Sequence, residues 1–168
     1  SEMTKKEIKI RITSVQRSGS DGEDENTVEI VTDATLSDEG GRLSVSYSEF
    51  LSDRAAPTAT TLVFDKESPD TVFLSREGEI TMSCVIAEKT RYRFAYNLGF
   101  ASIELVCVGH EVRNNVSSFG GEMFLRYDIE AHGVTVQSCE MTITIILFLD
   151  RVRLLSIMSR RENPSLIN

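Results

Sequence analysis

The sequence predicts an all-β fold: an antiparallel up-and-down β-barrel of about 8–10 strands, followed by a short C-terminal helix or tail. Apolar residues recur at every second position in one segment after another, turn residues separate these segments at short intervals, and helical periodicity is almost absent before residue 150. Closure would remove the exposed edges that so many strands otherwise leave, and a two-sheet sandwich is the alternative built from the same strands. No repeat of about 20–50 residues recurs, which argues against a propeller or solenoid.

With 168 residues, 40% of them hydrophobic, the chain can bury one sizeable core. Residues 7–149 are expected to form the barrel domain, and 150–168 an amphipathic extension. A formal net charge of −8 argues against a nucleic-acid partner, because phosphate binding depends on clustered Lys and Arg. Cys84, Cys107 and Cys139 are an odd number and far apart, so they read as small core residues rather than disulfide partners or metal ligands. Lys5 and Lys6 lead into an alternating strand rather than an unbroken apolar run, so a signal peptide is not expected and a cytoplasmic location is.

The first strand is marked by Ile8, Ile10 and Ile12 alternating with Lys9, Arg11 and Thr13. The polar, acidic stretch Ser18 to Asn26 reads as a solvated hairpin loop, since its spacing does not match a calcium-binding loop. Val28 and Ile30 resume the strand pattern toward Leu36, and Gly40-Gly41 supplies a turn that needs positive φ. Leu43, Val45 and Tyr47 then share a face, and continuing that face brings Glu49 inward. Thr60 to Cys84 reads as three strands with turns at Pro69-Asp70 and Glu77-Gly78. Within it, Val72 and Leu74 share their face with Arg76, so a guanidinium falls at the end of an apolar row.

Tyr92, Phe94 and Tyr96 form an aromatic stripe, and Asn97-Leu98-Gly99 turns the chain into a strand with Ile103, Leu105 and Cys107 on one face. Gly109 to Gly121 reads as a long polar connection that carries His110. Met123, Leu125, Tyr127 and Ile129 align on the next strand, and Ala131-His132-Gly133 turns it into the last. There Val134 and Val136 have the opposite parity to Met141, Ile143 and Ile145, which predicts a β-bulge between Gln137 and Glu140. From Leu149 to Ser159 the pattern suits a short amphipathic helix, docked on the barrel or on a partner subunit, with an anionic lipid surface as the alternative. The apolar run 141–149 is far shorter than the roughly 20 residues of a membrane-spanning helix, so no transmembrane segment is expected.

Ile8-x-Ile10-x-Ile12-x-Ser14, Tyr47-x-Glu49, Thr60-Thr61-Leu62, Arg76-x-Gly78, Gly99 and Tyr127 occur in an order that resembles the YwiB-like family of bacterial proteins of unknown function. The resemblance covers about residues 7 to 147 and implies a calycin-like (lipocalin-like) β-barrel with no established activity. Cys84, Ala87 and Phe94 depart from the family pattern, so a relative's ligand does not transfer to this chain.

Tyr47, Glu49, Thr61 and Arg76 are the constellation with chemistry in it. An inward arginine needs a carboxylate, and Glu49 is its expected partner. Such a pair is either a structural closure of the barrel or an anchor for the polar head of a small apolar or amphiphilic ligand, with Phe94 and Tyr127 among the residues lining its body. No catalytic residue, metal ligand or cofactor motif is found, and the chain is not expected to be an enzyme. Two functions remain: an uncharacterised cytosolic ligand-binding barrel, or a non-catalytic structural and protein-interaction module whose barrel is filled by its own side chains. A homodimer is compatible with both, because the apolar tail needs a surface to cover it.

Overall fold

In the computed structural model, residues 3–19, 21–50, 56–146 and 158–159 are described. Ten strands run in sequence: β1 Met3–Ser18, β2 Asp24–Glu39, β3 Arg42–Glu49, β4 Thr58–Asp65, β5 Ser68–Glu77, β6 Met82–Ile86, β7 Arg91–Asn97, β8 Ser102–Asn114, β9 Gly121–Ala131 and β10 Val134–Ile146. They form one sheet in the order β6-β5-β4-β3-β2-β1-β10-β9-β8-β7, with all nine neighbouring pairs antiparallel. Each strand lies beside its sequence neighbour, and β1 meets β10 from Lys9↔Ile146 to Ser18↔Gln137. The all-β up-and-down barrel expected from the alternation is what forms.

The sheet curls until β6 and β7 approach, where the ladder is reduced to one bridge, Thr81↔Asn97, with a hydrogen bond in each direction at 3.0 Å. The barrel is therefore nearly closed. The β6–β7 turn adds a second clasp to β8: Lys89 N–H donates to Gly109 O at 3.0 Å, and Gly109 N–H donates to Thr90 O at 2.9 Å. A side chain is impossible at 109, because a Cβ there would lie 1.8 Å from Ala87 O. At the β2–β3 hairpin Gly40 and Gly41 both adopt positive φ (60° and 91°), the two-residue turn whose twist matches paired strands.

Inward residues fill the half of the barrel away from the β3–β4 end: Ile10, Leu43, Leu62, Phe64, Val72 and Ile143 are all buried. The outer face of β1 and β2 is a ladder of exposed ion pairs, Lys9–Asp33, Arg11–Glu29 and Arg17–Glu25. Pairs this exposed contribute at most about 1 kcal/mol each and mainly keep the surface polar.

Several boundaries differ from expectation, each for a local reason. The β4–β5 turn is Lys66-Glu67, while Pro69 and Asp70 lie inside β5 where its register with β4 shifts. The long connection expected at 109–121 is mostly strand: β8 continues to Asn114 through a register shift between Gly109 and Glu111, which moves the inward position from Gly109 to Val112. In β10 the bulge falls between Thr135 and Gln137 rather than after Gln137. Val28 and Ile30 are strand residues as expected but half-exposed, since this part of β2 runs beyond the last β2–β3 pair, Thr35↔Ser46. The expected C-terminal helix lies outside the described residues except for Met158 and Ser159, which are helical.

Candidate functional site

The barrel interior changes character toward the end that carries the β3–β4, β5–β6 and β7–β8 connections. β3 and β5 keep the alternation that buries Val45 and Tyr47, and Val72 and Leu74, and one step further each presents a charged side chain, Glu49 and Arg76. Arg76 Nε donates to Glu49 Oε2 at 3.3 Å, and the Thr60 hydroxyl donates to the same oxygen at 2.6 Å. The two charged side chains are only 21% and 19% exposed, so the pair is largely removed from bulk water but not sealed from it. The carboxylate and guanidinium predicted to meet do so.

Thr61 does not belong to this group. Thr60 stands directly opposite Arg76 and Leu62 opposite Leu74, so even-numbered residues of β4 face inward. Thr61 faces outward, where its hydroxyl lies 3.1 Å from that of Ser46. One residue of parity separates the two faces of a strand, and the inward hydroxyl is that of Thr60, which is fully buried.

Around the ion pair lies a cavity of about 470 Å³, lined among others by Leu74, Phe94, Leu105, Tyr127, Ile129 and Cys139. Phe94 and Tyr127 are therefore placed as predicted, on β7 and β9. Tyr47 is buried on the core side of the ion pair, and its hydroxyl is without a hydrogen-bond partner. Sequence reading missed Met82 and the rim residues Gln16, Val136 and Gln137. Met82 Sδ lies 3.9 Å from Arg76 Nη1, and Gln137 Nε2 donates to Gln16 Oε1 at 3.2 Å. Gln16 continues the inward parity of Ile10 and Ile12, which was the available signal; Gln137 could not be placed without the position of the bulge.

Electrostatically the site keeps its guanidinium charged and its phenols neutral. Burial alone would lower the Arg76 pKa, but Tyr127, Glu49 and Tyr47 around it more than reverse this and raise it above the ordinary guanidinium value. Burial pushes the Tyr47 phenol well above its ordinary value, with the Glu49 charge adding to the rise and Arg76 opposing it. Tyr127 is raised in the same way, chiefly by burial. Burial also lifts Cys139 to about 11, with its hydrogen bond to Tyr127 and the Arg76 charge opposing.

Cys84, Cys107 and Cys139 are all free and buried. A hydrogen bond between Cys84 and Cys107 lowers the first thiol's pKa and raises the second's, with Arg76 also favouring ionisation of Cys84. Cys84 is nonetheless 1% exposed. His110, expected in a loop, sits on the outer face of β8, where its Nε2 pairs with Asp128 Oδ2 at 2.8 Å, away from the cavity. Among the described residues no group of three or more His, Cys, Asp or Glu could hold a metal ion, and no helix is long and apolar enough to cross a membrane.

The crystal structure of the ywiB protein from Bacillus subtilis shares this fold, with a TM-score of 0.71 at 19% identity over 85% of this chain and 93% of that one. No curated protein matches the sequence. The family model for a domain of unknown function, DUF1934, matches residues 10–143, from the middle of β1 to the last third of β10. With strand order, barrel and most of the chain in agreement, the protein belongs to this DUF1934, YwiB-like family.

Proposed function

We propose that the protein is a non-catalytic binding barrel that takes one small apolar or amphiphilic molecule into its mouth. The observation that carries this reading is the cavity of about 470 Å³ in which an apolar wall faces a partly exposed, incompletely paired guanidinium. A volume of this order suits a small organic ligand, and a few fixed polar groups on an apolar lining are what orient one. The calycin-like reading of the barrel, supported by the unbroken up-and-down strand order, is part of this proposal. Three buried free thiols favour work in a reducing compartment, hence the cytoplasm.

The competing reading is an interaction module, self-associating as a homodimer. It draws on the half of the barrel already filled by Ile10, Leu43, Phe64 and Ile143. Native mass spectrometry of protein purified from cells, compared with its denatured mass and with an organic-solvent extract, separates the two. An extractable small molecule at one per chain is the expected result; a clean mass in every oligomeric state would replace the binding reading with the interaction module.

A further inference from the structure

Resting on the binding reading above, we infer that the ligand's polar head is a single carboxylate and that its body is an apolar chain. The inference starts from an imbalance of donors and acceptors. A guanidinium offers five N–H groups. At Arg76, Nε has Glu49 Oε2 as acceptor and Nη1 lies 3.9 Å from the weakly accepting Met82 sulfur, and these are its hydrogen-bond partners among the described residues. Glu49 Oε2 already accepts from Thr60 as well. The cavity therefore holds a planar fork of underused donors, and the nearby amides of Gln16 and Gln137 are engaged with each other. A head group that completes this site is rich in acceptors and flat enough to meet a guanidinium edge, as a carboxylate is.

Charge selects among the acceptor groups. A cationic head would face Arg76 directly. A phosphate monoester would bring about two negative charges beside Glu49 in a chain whose formal net charge is −8. A carboxylate brings one, and the guanidinium lies between it and Glu49.

The apolar body follows from the inward face beyond the cavity. Val136 lines the cavity and is 45% exposed. Val28 and Ile30 stand opposite Ser14 and Ile12 and so continue the inward face of β1 past the end of β3. Val28 and Ile30 are exposed there, and an alkyl chain extending from the head would cover part of that aliphatic surface.

Calorimetric titration of the full chain with decanoate, decan-1-ol and decylamine at neutral pH tests the assignment. Decanoate is expected to bind at least about tenfold tighter than decanol, the effect of one charge-assisted hydrogen-bonded contact, and decylamine weakest. Glu49→Gln should tighten decanoate by removing a like charge, and by at least about tenfold more than it changes decan-1-ol. The double variant Arg76→Gln with Glu49→Gln keeps the site neutral and should bind decanol while losing the preference for decanoate. Equal binding of decanol and decanoate to the unmodified chain, or a Glu49→Gln effect of the same size on both, would overturn the carboxylate and leave the binding barrel standing. Absence of binding by all three would overturn both.

Discussion

Arg76 and Glu49 show how much one pair of side chains can depend on its surroundings. Both belong to strands whose other inward residues are apolar, and each is acceptable there because the other is within 3.3 Å. Replacing Arg76 by Leu leaves a mostly buried carboxylate without its cationic partner, though still accepting from the Thr60 hydroxyl. This should lower the unfolding free energy by about 3 kcal/mol, the low end of the range for breaking an interior pair, because the site retains some solvent. Replacing Glu49 by Leu as well should recover most of the loss, since two apolar side chains need no partners. Urea unfolding of the two variants measures both effects, and a neutral single variant would mean that the pair contributes nothing to the fold.

At the scale of elements, the weak point of the sheet is the β6–β7 seam. Elsewhere neighbouring strands share a ladder; here one bridge and the Gly109 clasp hold the barrel shut. Gly109→Ala should therefore be severe for so small a change. Its methyl would meet Ala87 backbone, at 1.8 Å from the carbonyl oxygen, and backbone cannot rotate away as a side-chain tip can. A loss of about 2–3 kcal/mol or more is expected from such overpacking. Hydrogen exchange should locate the damage, with protection falling first in β6 and β7; a uniform loss across the sheet would show that the clasp is not local. The bulges of β8 and β10 are a second feature at this scale. Each adds one residue to one strand and turns the alternation over, so that Val112 and Cys139 face inward despite opposite sequence parity to Gly109 and Val136 respectively.

The whole molecule responds to alkali through its buried phenols. Tyr47 and Tyr127 have folded-state pKa values raised above the ordinary 10.0, so above pH 10 the unfolded chain releases their protons while the folded chain keeps them. Their contribution is complete below pH 10 and is lost as the pH rises toward the folded values, at up to about 1.4 kcal/mol per pH unit for each phenol. Thermal unfolding followed from pH 8 to 12 should show a falling midpoint, with the phenolate absorbance of these two residues appearing only together with unfolding. Their ionisation in a still-folded barrel would contradict the burial.

The sequence by itself determined the all-β class, nearly every strand, the inward course of Glu49 and Arg76 and the burial of three free cysteines. A period of two is written directly in residue order, and a side chain's face follows from counting. Tertiary structure alone decided that Thr60 rather than Thr61 meets Glu49, that Gln137 and Val136 reach the cavity rim, that His110 belongs to a strand, and that the barrel closes through β6 and β7. Each of these depends on register between strands or on a bulge, and a shift of one residue exchanges inside for outside without leaving a mark in the composition of the segment. The cavity belongs to the same class. It is a volume left by residues from eight strands, and local alternation specifies which side chains point inward, not whether together they fill the space.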